Sequence, residues 1–203
     1  MATLADIRAD IADMLVADDI DTQILDEIRK AVRFYQAKRF FFNEGRISLS
    51  CSNSITQYTL SATTSVMEVI SVQITRNQST YVIEPIAEQE RLSYDTNNIT
   101  GDPSWYSMYG GLFIPYPRPS DVYTATFNVV KEPATLSVSG DSNVFTEHAE
   151  DLITARAAAN VCLKYTEDYE RAQTFKLLEQ EALMELYRRN AARTPTRVIP
   201  TEF

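Results

Sequence analysis

The segment Thr146–Phe203, TEHAEDLITARAAANVCLKYTEDYERAQTFKLLEQEALMELYRRNAARTPTRVIPTEF, decides the fold, because it reads as a helical hairpin followed by a tail. The hydroxyl of Thr146 can cap a helix, and Glu147, Glu150 and Asp151 put negative charge at the positive end of its dipole. Leu152, Ile153, Ala159, Cys162 and Leu163 recur at helical spacing, and Ala155, Ala157 and Ala158 add helix propensity, which carries the helix to about Tyr165. Thr166, Glu167 and Asp168 supply a second cap and acidic first turn. Phe175, Leu178, Ala182 and Leu186 then form an apolar stripe, and Arg188, Arg189 and Arg193 place cations at the far end. So short a connection predicts an αα-hairpin. Beyond it Pro195 and Pro200 forbid a helix, and Val198, Ile199 and Phe203 put apolar side chains on the tail.

The N-terminal end carries the same period. Thr3 followed by Asp6 is a capping-box-like start, and Leu4, Ile7, Ile11, Met14 and Leu15 form an apolar face over Leu4–Val16. Asp18, Asp19 and Asp21 mark a break, after which Leu25, Ile28, Val32 and Tyr35 predict a second helix over Thr22–Lys38. Phe40, Phe41 and Phe42 follow where that helix should stop. No single helix face can bury all three, so they are expected to form a core at the helix–sheet junction.

From Arg46 the period becomes alternating. Ile47, Leu49 and Cys51 predict one strand, Tyr58 and Leu60 a short second, and Ile70, Val72 and Ile74 one face of a third over Val69–Thr75. A polar turn at Arg76–Ser79 leads to Tyr81–Ile83, and Pro85 is placed to open a short helix anchored by Ile86 and Leu92. Trp105–Tyr109 and Leu112–Ile114 flank Gly110-Gly111 as a hairpin, ended by Pro115, Pro117 and Pro119. Tyr123, Ala125, Phe127 and Val129 alternate with polar residues in the clearest strand. The order helix-helix, strands, helix-helix predicts an α+β fold. Residues 1–45 and 133–192 are expected to form an antiparallel helical bundle, 46–132 an inserted antiparallel β module, and 193–203 an extended C-terminal tail.

Composition narrows the function. A chain of 203 residues can bury roughly 70% of its unfolded surface without staples. No apolar run approaches the ~20 residues of a membrane span, and the start lacks the basic and apolar regions of a secretory signal, so the mature protein is expected to begin here. Cys51 and Cys162 lie far apart without a CxxC, which predicts buried thiols in a reducing compartment. A net charge of −9 offers no basic footprint for nucleic acid, although a surface past which DNA slides should also avoid phosphate contacts.

Catalytic machinery is not legible. The single histidine, His148, sits at a predicted helix start among Glu147, Glu150 and Asp151, which favours a surface or capping role over a triad. There is no HExxH, P-loop or GxGxxG pattern, and the cluster Asp18-Asp19-Ile20-Asp21 reads as a helix break with a cap. No enzyme and no cofactor or metal is expected. Trp105, Tyr106, Tyr109 and Tyr116 could form a ligand platform, though cross-strand packing is the commoner use of strand aromatics.

Five stretches, in this order along nearly the whole chain, resemble the head-to-tail adaptor (portal adaptor) proteins of short-tailed bacteriophages. They are Thr3–Arg8; Ile24–Ala31 running into Arg39–Gly45; Gly101–Tyr106; Leu112–Pro117; and Thr146–Ile153 continuing into Arg156–Ala159. The resemblance implies a structural protein of the virion neck, assembled in the host cytoplasm. It would form a ring beneath the portal, twelvefold in that family, closing the packaged head and offering a platform to a tail or nozzle protein. Double-stranded DNA would slide through without specific binding. The C-terminal tail would be the docking arm: ten extended residues reach ~33 Å, Arg193 and Arg197 meeting acidic groups while Val198, Ile199 and Phe203 fill apolar pockets. Trp105, Tyr106 and Tyr109 mark the β loop that would face the next tail protein. Two other readings are a different neck component, such as a tail-tube completion protein, and a carbohydrate-binding or cell-wall-degrading virion protein.

Overall fold

A computed structural model of the chain describes residues 2–16, 19–53, 55–60, 65–95 and 99–193. The fold is α+β, with six helices and a mostly antiparallel sheet. It divides into two compact units, one of residues 1–43 with 133–203 and one of residues 44–132.

In the first unit, α1 (Leu4–Leu15) starts at the Thr3/Asp6 capping box, in which the Asp6 carboxylate accepts from the Thr3 N–H at 2.8 Å. Leu4, Ile7, Ile11 and Leu15 are buried, and Met14 lies half-exposed at the edge of the stripe. Helix α2 (Asp21–Tyr35) buries Ile24, Ile28, Ala31, Val32 and Tyr35, together with the carboxylate of Glu27. Its expected Asp cap is absent: Asp21 is the first helical residue and its carboxylate accepts from Arg8 at 3.0 Å.

The helix expected to start at Thr146 starts earlier and is broken. Asn143 caps a short α4 (Val144–His148), accepting from the N–H groups of Phe145 and Thr146 at 2.9 and 3.2 Å. Thr146 closes the reciprocal half of that box. The earlier cap wins because it brings Phe145 fully into the core. After a non-helical Ala149, α5 (Glu150–Val161) buries Leu152, Ile153, Ala157, Ala158 and Val161. A π-helical turn, Cys162–Thr166, ends at Glu167, whose φ is 53°. Helix α6 (Tyr169–Arg193) is then capped by Asp168, whose carboxylate accepts from the Arg171 N–H at 3.0 Å.

The second unit holds a seven-stranded sheet in the order β1-β9-β3-β4-β6-β7-β2. Next to its edge strand lies β9 (Tyr123–Lys131), antiparallel to β1 (Glu44–Cys51) on one side and β3 (Val66–Arg76) on the other. Tyr123, Ala125, Phe127 and Val129 point into the core, as alternation requires. The third strand departs from its expected register. A bulge between Val69 and Ser71 leaves Ile70 without a partner, so Val69 joins Val72 and Ile74 in the core in place of Ile70. Strand β4 (Ser79–Pro85) follows a two-residue turn, and β6 (Trp105–Tyr109) and β7 (Leu112–Tyr116) flank Gly110-Gly111. Pro115 lies inside β7, so that strand ends at Tyr116 and not at Ile114. The short β2 (Tyr58–Thr59) pairs with β7, and β5 (Thr100–Gly101) with β8 (Arg118–Pro119) form a separate ladder.

The short helix α3 (Glu88–Tyr94) corrects another expectation. Pro85 ends β4 instead of opening the helix, and Leu92 is 57% exposed. The anchor is Arg91, buried and bonded to Glu88 at 2.6 and 2.8 Å and to Asp95 at 3.0 Å. Glu88 also accepts from the Ser107 hydroxyl, which ties α3 to β6 through polar contacts.

Candidate interaction surfaces

Phe40, Phe41 and Phe42 follow α2 in a turn fixed by Asn43, whose side chain accepts from the Phe40 N–H at 2.8 Å and donates to the Lys38 carbonyl at 2.7 Å. Phe40 is fully buried in the helical core, stacked on Phe42 at 5.2 Å and on Tyr187 of α6 at 6.0 Å. Phe42 meets Phe145 edge-on at 5.1 Å and stacks on the His148 ring at 5.4 Å. Phe41 is partly buried, and the guanidinium of Arg193 lies 3.8 Å from its ring centroid. Arg193 is thus the last residue of α6 and rests on the aromatic cluster. Arg197, Val198, Ile199 and Phe203 lie outside the described residues, as does Asp18.

The hairpin aromatics separate. Tyr106 is buried against Phe113 in the β core, whereas Trp105 and Tyr109 are exposed. Trp105 stacks on Tyr116 at 6.3 Å and Tyr116 on Tyr94 at 6.4 Å, a ladder with two exposed ends. Alternation along β6 could have separated Tyr106 from its neighbours.

A groove of about 470 Å³ runs between α1, α5 and α6. Leu152, Ala155, Phe175, Ala182 and Leu186 line its floor, and Asp10, Glu150, Asp151 and Glu181 its rim. Burial, and the charges of Asp10, Asp151 and Asp6, push the Glu150 carboxyl above its ordinary value. At the far end Glu185 is held down to about 2 by hydrogen bonds from Arg188 and Arg189. In the sequence Glu150 and Asp151 mark the acidic first turn of a helix, whereas nothing there singles out Asp10 or Glu181. The groove itself was not legible, because it depends on where α6 lies against α5. Of the 25 residues of α6 only Ala172 and Leu186 are buried, while Leu177, Leu178, Met184 and Tyr187 are exposed.

Elsewhere the charges are structural. Glu27 is completely buried and accepts from Lys30 at 2.8 Å and from Lys164 at 2.9 Å. Burial alone would raise its carboxyl, but the two ammonium groups outweigh it and hold it below the ordinary range. The Tyr35 hydroxyl donates to Glu179, which also pairs with Arg156 at 2.6 Å. Cys51 and Cys162 are buried free thiols, and burial pushes Cys51 up to about 11. Among the described residues no group of three or more His, Cys, Asp or Glu is placed to hold a metal, and no helix is long and apolar enough to cross a membrane.

The family model described as SU10 adaptor protein matches residues 2–199. No curated protein matches the chain.

Proposed function

Because the chain belongs to the SU10 adaptor protein family over nearly its whole length, and is therefore a phage structural adaptor with portal and tail partners, we propose how it works. Copies dock as a ring beneath the portal, twelvefold in the family it resembles, close the packaged head and continue the DNA channel towards the tail. The helices are arranged as an antiparallel bundle in this ring. The adaptor family implies a structural, non-enzymatic protein of the virion neck. The match across residues 2–199 is the observation that carries the reading.

Residue chemistry supports the parts. The exposed apolar side chains of α6 are candidates for burial on assembly. The tail beyond Arg193 supplies Arg197, Val198, Ile199 and Phe203 for docking to the portal, with Trp105 and Tyr109 left to face the next tail protein. With a net charge of −9, the channel wall is expected to be acidic or neutral, so DNA slides without phosphate contacts. Mixing with the cognate portal ring tests the proposal, comparing the full chain with a truncation ending at Ala192 by sedimentation and negative-stain imaging. The full chain should add a stacked ring and the truncation should not. Absence of a ring from both would overturn the adaptor reading, and a ring from both would overturn the docking tail alone.

A further inference from the structure

The helical unit presents two separate surfaces of opposite charge. One is the groove between α1, α5 and α6, where Met14 and Leu178, 50% and 46% exposed, extend the apolar floor beneath the acidic rim. The rim gathers four carboxylates, and burial together with the charges of Asp10 and Asp151 raises that of Glu150 above its ordinary value. The arginine of the groove, Arg189, is already held by Glu185 at 3.0 Å. The other surface is the C-terminal half of α2 and the turn after it. Arg29, Lys30, Arg33, Lys38 and Arg39 fall there with no Asp or Glu in the sequence between Arg29 and Arg39. Arg29 meets Asp26 at 3.4 Å and Lys30 the buried Glu27 at 2.8 Å, and Arg33 and Lys38 carry the ridge beside Phe34. Phe34 stands half-exposed among these cations, with the Arg156 guanidinium 3.4 Å from its ring and Lys38 5.8 Å away. No residue of α2 lines the groove, so one copy can offer both surfaces at once.

We propose that the acid-rimmed groove of one copy receives the cationic, Phe34-bearing ridge of α2 from a second copy, joining copies head to tail. The partner chemistry follows from the groove. An apolar floor favours an aromatic anchor, and an acidic rim favours cations around it while rejecting a second acidic face. A contact between two different patches is heterologous, the kind that closes into a ring when its rotation allows. This rests on the ring reading above and names the surfaces that would build the ring.

Charge reversal in portal-templated assembly tests it. D151K/E181K inverts the groove and R33E/K38E inverts the ridge. Each should raise the concentration for half-maximal ring formation at least about tenfold, and the four changes combined should bring it back to within about threefold of wild type. Circular dichroism and thermal melting check that each variant folds. Where a reversal shifts the melt, the neutral D151N/E181Q or R33Q replaces it, with an expected rise of about threefold. If wild type forms no ring on the portal, the adaptor reading falls and this contact with it. If wild type assembles and the reversals do so equally well, or the combination fails to restore assembly, only the contact is overturned.

Discussion

The two units keep their segments together by different means. In the helical unit the core joins side chains far apart in sequence, from Leu4 to Leu186, and a buried carboxylate on α2 reaches Lys164 beyond α5. In the β unit the order comes from the main chain, with β9 paired along both edges and each side chain assigned to a face by the pleat. The cores have no residue in common. A helical core therefore depends on which side chains meet, and a sheet core on register.

The largest effects should come from emptying each core in turn. Phe127 is fully buried and meets Phe113 edge-on at 4.8 Å, and Phe145 is its counterpart against Phe42. Phe127→Ala and Phe145→Ala are each expected to cost about 3–5 kcal/mol. The chain's one tryptophan, Trp105, lies in the β unit, so its fluorescence reports that unit while far-UV circular dichroism weights the helices. Under urea, Phe127→Ala should lower the fluorescence transition and leave the helical one nearly in place, and Phe145→Ala should do the reverse. Coincident shifts in both variants would mean that the two units unfold together, and the contrast would fail.

Glu27 sharpens the comparison, since it is fully buried, whereas the buried charge among the described residues of the β unit, Arg91, sits on α3 and not on a strand. Glu27→Gln keeps the shape but removes the charge that two lysines address, and should cost about 1–3 kcal/mol. Because the folded carboxyl lies below its ordinary value of 4.5, the unfolded chain takes up this proton first as pH falls. The stabilisation is complete above that value and lost as pH drops through the lower folded pKa. Wild type should lose helical stability in that acid window, and Glu27→Gln should lose less. Parallel pH profiles would show that the two lysines contribute nothing through charge.

What the sequence revealed follows the same division. The α+β order, the Thr3 box and the alternation of β9 were legible because each depends on spacing within a few residues. The start of α4 was not, since Asn143 and Thr146 are both good caps and only the burial of Phe145 decides between them. Ile70 fits the alternation as well as Val69 does, and the bulge that separates them is set by the partner strand. Arg91 anchors α3 in place of Leu92, although Glu88 and Asp95 stand three and four residues from it, because spacing shows the pairs without showing that they are buried. Glu27 was invisible for a different reason: its partner Lys164 lies 137 residues away. For the surfaces, the sequence held the charges but not the groove, and alternation set Tyr106 and Trp105 on opposite faces without saying which face is buried.

The smallest effects concern residues held at positive φ, one type in each unit. Val16 closes α1 with φ at 52°, and Gln78 occupies the second position of the β3–β4 turn with φ at 69°. Both conformations are costly for a side chain with a Cβ and most costly for a β-branched one. Val16 is 86% exposed, so removing its side chain gives up little packing. Val16→Gly should therefore stabilise the helical transition by about 1 kcal/mol, and Gln78→Gly the β transition by about 0.5 kcal/mol after the added freedom of the unfolded chain is counted. The β6–β7 turn supplies the opposite change. Gly111 has φ at 77° and open space where a Cβ would stand, so Gly111→Ala isolates the backbone cost, about 1 kcal/mol, without a clash. Chemical denaturation read by the two probes should place Val16→Gly on one unit and the other two on the second, with opposite signs for the glycine gained and the glycine lost. If Gln78→Gly is neutral while Gly111→Ala is costly, sheet pairing in the first hairpin compensates for its turn, and register controls the turn as it does the core.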